Sequence, residues 1–598
     1  MKLVVPFVHQ IQLQVADDRL VNLADALGLE CQLLPLPAGK PSLASAVEAS
    51  SIDPGQSCLV LNPETLRAWQ PLEAFPAEWD NYLCSRFKFI FVHNLQPSPY
   101  ADRMLAVLSA GKLASVRPVQ SPVLEYEIDS ANKDVCGAFS GIRFGPVNPS
   151  NDSVLLGGSD GLRKFISIHG ELFFASLANK TCEVFFLAGR NVADLSMNVE
   201  TVPLADFFSQ LVPVLMLLRY VFGQESWQPN ALHGAVIIDD PLLRKTYGFL
   251  DYERLLGMMD SRNFHTSIAF IPFNFKRNSA AIVRMFKTRP DRYSICFHGN
   301  DHTGSELAAA DTRLLNAMLT TAAARMDFHD SETGLQCDRV MVFPQGCFSE
   351  EAMQVLNAHN FSGAVNTTAH PQGKLATSAM RDLLYPSIWK YADFPLFLRK
   401  YPTEISPQDI AFCAFVGRPI FIVEHHQIFK DPQPLLEAIA QINSMLPQIR
   451  WTNLQTAAEN SSLTRMTGDG IFHVRPASKS AWIQNPGPAP LRCSIEWPVY
   501  QLPPEKVLLD GEVLSDVHIE ASRVRASCEL APGASRRLEL VHNNEFGLSD
   551  ANRKIKWRAK AFVRRRLSEF RDNFLCKHPA LLRAAKILRP PAQYDSGS

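Results

Sequence analysis

Apolar and polar positions alternate with two different periods along this chain, and the changes of period divide it. Over residues 1–121, strand-like runs at 2–8, 58–61 and 87–92 are interleaved with amphipathic helical patterns at 19–27 and 101–110. That alternation predicts an α/β domain with a parallel sheet. Residues 122–200 change to short strands and turns, including 171–175 and 182–187, which predicts a β-rich module. An apolar helical run at 204–222 opens a central region, 201–460, where strand, loop and helix repeat. Its strands are predicted at 235–238, 267–271, 293–297, 339–343, 363–366 and 420–423, with 449–454 as the last. Between them lie helical faces such as Tyr252, Leu255, Leu256 and Met259, or Leu314, Leu315, Met318, Leu319 and Ala322. This is the rhythm of a (β/α) barrel, in which chemistry belongs at the C-terminal ends of the strands.

Period-2 runs return over 461–547, separated by Asn-Pro, Ala-Pro-Gly and Asp-Gly turns, and predict a β-sandwich. The tail, 548–598, is strongly basic. Ile555, Ala559, Phe562, Val563, Leu567, Phe570 and Phe574 fall on one helical face, with Lys and Arg on the other. Such a helix either lies on an anionic membrane surface or packs its apolar face on the protein. As it follows a complete β-module, the tail is expected to be dispensable for the barrel.

Composition narrows the class. At 598 residues, about three to four domains are expected. A net charge of −1 argues against a nucleic-acid-binding chain. The twelve cysteines include no CxxC, which favours free thiols in a reducing compartment. The first ten residues hold too short an apolar run for a signal peptide. The apolar stretch 211–218 is broken by Pro213, stops at Arg219 and falls far short of a bilayer span. These features predict a cytoplasmic protein, peripheral at the inner membrane face if the tail engages lipid. No glycine-rich loop follows the first strand, so no nucleotide site is expected.

The candidate chemistry is concentrated at strand ends. Asp239 and Asp240 close the run 235–238, and two adjacent buried carboxylates are costly without a cation or hydrogen bonds. His298 and His302 follow the strand 293–297 with a spacing of four. One Asp and two His form a metal-ligand set with room for water at an open position.

With Ile238-Asp239-Asp240, His298-xxx-His302, Phe343-Pro-Gln-Gly346 and the strand Ile420 to His426, residues 231–460 resemble the NodB-homology polysaccharide deacetylases. The resemblance implies a distorted (β/α) barrel that removes acetyl groups from N-acetylated sugars with one divalent metal, Zn²⁺ being the first expectation. It implies Asp240, His298 and His302 as metal ligands and Asp239 as general base. His425 or His426 would be the general acid, His425 being nearer the strand. Backbone around Gln345 and Gly346 would support the oxyanion, and Trp389 and Tyr391 would offer sugar-stacking faces. The chain departs from the family at the third motif, where Val342 stands in place of the usual arginine and Gln345 in place of the usual tyrosine. Arg244, Lys245 and Arg399 are the candidates to orient the catalytic aspartate instead. Asp301 is expected to cap the following helix, and Glu306 to be a first-turn carboxylate.

The predicted function is therefore deacetylation of an N-acetylated sugar or glycan intermediate in surface-polysaccharide biosynthesis. Two alternatives remain open from sequence: a catalytically silent glycan-binding or scaffolding protein, and a hydrolase of a non-sugar amide by the same mechanism.

Overall fold

The computed structural model describes residues 1–8, 13–36, 43–70, 79–147, 152–158, 160–179, 181–198, 204–374, 379–501, 503–542, 546 and 555–578. Its centre is a ring of parallel strands: β1 (His233–Asp239), β2 (Thr266–Phe270), β3 (Tyr293–Phe297), β4 (Cys337–Val342), β5 (Gly363–Asn366), β6 (Leu396–Lys400) and β7 (Ile420–His425). Each pairs with the next, and β1 pairs with both β2 and β7, so seven strands close into a barrel. The expected last strand is reduced to Arg450–Trp451, which pairs with the start of β1 outside the ring.

Strand alternation explains how the barrel is filled. Ala235 and Ile237 of β1, Cys296 of β3, Val340 and Val342 of β4, Phe397 of β6 and Phe421 of β7 form one buried cluster inside the ring. Leu454, Ala457 and Ala458 of the helix Leu454–Asn460 join that cluster and plug the end where the strands begin. The alternate residues, Val236, Ile238, Ile268, Ile295, Met341 and Ile422, face the surrounding helices in a second cluster. Both faces of a parallel strand are thus buried, which is why these segments read as near-continuous apolar runs.

The N-terminal region differs from expectation. The segments either side of position 121 belong to a single eleven-stranded sheet. Its parallel part continues into the antiparallel part where Phe89–Val92 pairs in parallel with Cys182–Leu187. The period change in the sequence therefore marks a change of strand direction within one sheet. The helix Phe208–Phe222 packs into the core of this sheet and also meets Phe412 and Phe415 of the barrel helix Pro407–Val416. It joins the two units.

Beside the barrel, a six-stranded sheet, which takes in Gln228–Pro229 from before the barrel, and a four-stranded sheet share one core. Val474, Ile495, Trp497 and Val524 come from the first sheet, and Ile483, Leu538 and Leu540 from the second. The helix Ile555–Asn573 then returns to the barrel and lies across its mouth, the end where β1, β3, β6 and β7 finish.

Candidate active site

The inward set of barrel residues, continued to the strand ends, supplies the polar site. Two residues beyond Ile237 is Asp239, and two beyond Cys296 is His298. In the same way Phe397 leads to Arg399, and Phe421 through Val423 to His425. Asp239 and His425 are register partners across β1 and β7.

Asp239 and Asp240 are adjacent but have different surroundings. Asp239 is buried and receives both guanidinium arms of Arg399, Nη1 to Oδ1 at 2.8 Å and Nη2 to Oδ2 at 2.9 Å. Burial would raise its carboxyl, but Arg399, His298 and His425 outweigh that and hold it below the usual carboxylate range. Of the three candidate cations, Arg399 on β6 is the one that pairs with Asp239. Arg244 and Lys245 do not: neither makes a contact with Asp239, and Lys245 pairs with Glu253 at 3.5 Å.

Asp240 has φ of +82°, so the chain turns sharply as β1 ends and the second carboxylate is aimed away from the first. Its Oδ1 is buried, has no hydrogen-bond partner, and lies 3.4 Å from His302 Nε2 and 3.8 Å from His298 Nε2. An orphaned buried carboxylate oxygen facing two imidazole nitrogens is the signature of a cation site. The three ligand atoms lie within 4.8 Å of one another. His298 Nδ1 donates to the Val342 carbonyl at 2.9 Å, which leaves the Nε2 lone pair directed at the cluster. Burial lowers both histidines, His302 to about 4, so each is a neutral imidazole near neutral pH, as ligation requires. For Asp240, burial is again outweighed, by His302, His298 and Arg565, and the carboxyl stays far below its ordinary range.

The loop carrying the histidines is wrapped around a buried carboxylate. Glu306 accepts the backbone N–H groups of Asn300 at 2.7 Å, Asp301 at 3.1 Å and His302 at 2.9 Å. Gly299 is in the left-handed region, and a Cβ there would collide with Glu306 Oε1. Glu306 is therefore the support of the loop and more than a first-turn carboxylate. Asp301 does not cap the next helix; it accepts Arg325 Nη1 at 2.7 Å.

His425 and His426 separate clearly. His425 belongs to the inward set and is close enough to both aspartates to lower them. His426 points out of the ring, buried against Tyr247 and Phe249, with Nε2 3.5 Å from Asp572 of the C-terminal helix. His426, Asp572 and Cys576 also approach within ligand distance. Unlike Asp240, however, Asp572 is satisfied, by Tyr247 Oη at 2.9 Å and Arg571 Nε at 2.6 Å.

Other expected site residues are placed differently. The Gly346 N–H donates to the Phe343 carbonyl at 3.3 Å, so it is not free for an oxyanion. Gln345 uses its side-chain oxygen to accept from Ser305 N at 3.0 Å, which ties the turn after β4 to the histidine loop. Trp389 is buried in the core of the C-terminal sheets and borders a cleft of about 920 Å³ between the N-terminal sheet, the barrel and those sheets. Tyr391 is buried and donates to the Ala369 carbonyl at 2.8 Å. The Tyr391 ring meets Phe348 edge-on. Sugar-stacking faces were expected of Trp389 and Tyr391, and both rings are packed against protein.

One site residue was missed. Arg565, on the C-terminal helix, is buried beside the cluster, with Nη2 3.4 Å from both His302 Nδ1 and the His302 carbonyl and Nη1 3.9 Å from Asp240 Oδ1. The only signal for it in the sequence was the density of arginine on that helix, which does not say which one turns inward.

No family model and no curated protein matches the sequence. Among solved structures, the chain is similar over 90% of its length to Agd3, described as a novel carbohydrate deacetylase, at 10% identity, 98% of that chain and a TM-score of 0.47. Over 37% it is similar to a family 4 carbohydrate esterase from Streptomyces lividans in complex with acetate (13% identity, 92% of that chain, TM-score 0.22). Over 38% it is similar to a family 4 acetyl xylan esterase from Clostridium thermocellum in complex with a cobalt ion (16% identity, 89% of that chain, TM-score 0.23).

Proposed function

We propose that this chain is a metal-dependent hydrolase that removes the acetyl group from an N-acetylated sugar. The observation that carries this reading is one arrangement at the barrel mouth. A cation site with an orphaned carboxylate oxygen, Asp240 with His298 and His302, sits beside a second carboxylate, Asp239, that Arg399 holds in place. A divalent cation there, Zn²⁺ being suited to two imidazoles and a carboxylate, supplies Lewis-acid polarisation of an acyl oxygen and acidifies water.

The chain's own groups do the rest. Arg399 keeps Asp239 ionised and fixes both of its oxygens, so the carboxylate is oriented to take the proton of the attacking water. His425, the register partner of Asp239, gives a proton to the departing amine nitrogen. His426 does not share this position; its neighbours are Tyr247, Phe249 and Asp572. Closure of the mouth by the C-terminal helix keeps the site in a low-dielectric setting, where these interactions are stronger than in water.

The sugar as substrate follows from the motif resemblance, and an N-acetylated intermediate of surface-polysaccharide assembly is the substrate class it implies. The test is metal analysis of the purified chain, then acetate release from a panel of N-acetyl sugars. Stoichiometric metal and acetate release support the reading. A protein that loads no divalent metal contradicts it, and release only from non-sugar amides moves the substrate out of the carbohydrates.

A further inference from the structure

The C-terminal helix is placed with its amphipathic character reversed. A surface helix ordinarily buries its apolar stripe and leaves its charges in water. Here the polar side is the buried one. Glu569 pairs with both arms of Arg277, with Nη2 to Oε2 at 2.6 Å. Asp572 accepts the Tyr247 hydroxyl at 2.9 Å, Asn573 accepts the Gly248 N–H at 2.9 Å, and Arg565 reaches His302. The side turned away from the barrel carries Phe562, Val563, Leu567, Phe570 and Phe574, which are 45–63% exposed. These are five of the sixteen large hydrophobics exposed among the described residues, gathered within thirteen positions. Isolated exposed apolar residues need no explanation, but a contiguous patch does.

The charge distribution indicates what covers it. Residues 553–589 contain thirteen Lys and Arg and only two acids, Glu569 and Asp572. Both acids are spent on the barrel. The outward side is left with apolar groups flanked by arginines: Arg566 and Arg571 lie 3.7 Å from Glu569 and 2.6 Å from Asp572, yet their side chains remain 51% and 44% exposed. Bases and apolar groups continue in the sequence as Leu581-Leu-Arg-Ala-Ala-Lys-Ile-Leu-Arg589. An apolar stripe bordered by arginines with no exposed acid matches an anionic lipid surface, where the rings enter the headgroup boundary and the guanidiniums meet phosphates.

We propose that this face is a dock for an anionic bilayer, and that docking turns the barrel mouth, across which the helix lies, toward the membrane. Among the described residues no helix is long and apolar enough to cross a membrane, so the contact is interfacial. The inference does not depend on the hydrolase reading.

The experiment is flotation of the full chain with vesicles of phosphatidylcholine alone and of phosphatidylcholine with phosphatidylglycerol, beside the double variant Leu567→Ser/Phe570→Ser. Both side chains point into solvent, so the variant should melt at the parent temperature, and light scattering reports oligomeric state. The expected result is binding to the anionic vesicles, reduced by added salt and weakened about tenfold or more in the variant. Binding to neither vesicle, equal binding to both, or no loss in the variant overturns the proposal. A dimer that the variant dissolves, without vesicle binding, assigns the face to a second copy and likewise overturns it.

Discussion

Asp239 and Asp240 occupy neighbouring positions with opposed chemistry: one has every oxygen satisfied by Arg399, and the other has a buried oxygen with no partner. Asp240→Asn should abolish divalent-metal binding, while Asp239→Asn should retain it and lose about 10²–10⁴-fold in turnover. Metal content and acetate release, measured on both variants together, check this, and equal loss of metal from both would make the pair a joint ligand. Arg399 offers an independent reading of the same pair. Arg399→Met leaves the Asp239 charge buried without a partner, a change typically worth about 3–5 kcal/mol in stability. Adding Asp239→Asn should recover part of that in urea unfolding, because the stranded charge is then gone. That Asp239, Asp240, His298 and His302 gather at one end of the barrel was legible in the sequence because strand-end position and spacing are local properties. Arg399 was only one of three candidates, since its contact with Asp239 spans 160 positions and depends on how β1 and β6 face each other inside the ring.

At the scale of elements, the loop after β3 and the C-terminal helix decide what the ligands can do. Glu306 gathers three backbone N–H groups of the histidine loop, so Glu306→Ala should free the loop and weaken metal binding without touching a ligand. The helix acts in the other direction. Arg565 competes with a cation for the field of Asp240, and it donates to His302 Nδ1, the nitrogen that must carry the proton when Nε2 is the ligand. Arg565→Gln should therefore tighten divalent-metal binding, by about tenfold or 1.4 kcal/mol, in a calorimetric titration. Weaker binding would make Arg565 a support of the site. The same contacts alter the expectation that the tail can be removed without consequence, because its loss exposes Tyr247, His426 and the metal ligands. The repeating strand and helix pattern made the barrel readable, whereas of the two readings of the tail the one in which its apolar face packs on the protein does not hold, since that face is exposed. Amphipathic periodicity reports where apolar residues lie around a helix; that the polar side would meet the barrel depends on Arg277, Tyr247 and His302, some 260–325 positions away.

For the molecule as a whole, the barrel's packing against its closed end sets a limit on acid tolerance. His265 is buried just before β2, with Nδ1 donating to the Asp291 carbonyl at 3.1 Å and Nε2 accepting from Ser294 Oγ at 3.1 Å, so both nitrogens are satisfied by a neutral ring. His233 is buried at the first position of β1, 3.3 Å from Ser461 Oγ. Burial pushes each down to about 4, with the Asp291 carbonyl only partly offsetting it at His265 and Arg450 adding to it at His233. In the unfolded chain both return to the ordinary value near 6.5. Between pH 6.5 and 4 the unfolded state therefore binds protons that the folded state refuses, and stability falls as pH falls through that window. Below about 4 the two states bind alike and the loss levels off. A displacement of that size is worth about 3 kcal/mol per histidine, a large part of a typical domain's margin. The barrel sits between the N-terminal sheet and the C-terminal sheets and packs on both, so its loss should carry the whole chain with it. Denaturant unfolding at a series of pH values should show a midpoint that drops between pH 6.5 and 4, and, because His302 carries a shift of the same size, His265→Gln should flatten that slope by up to about a third even if it lowers stability at pH 7. An unchanged slope in the variant would place the acid sensitivity in other groups and not in the neutral histidines of the barrel.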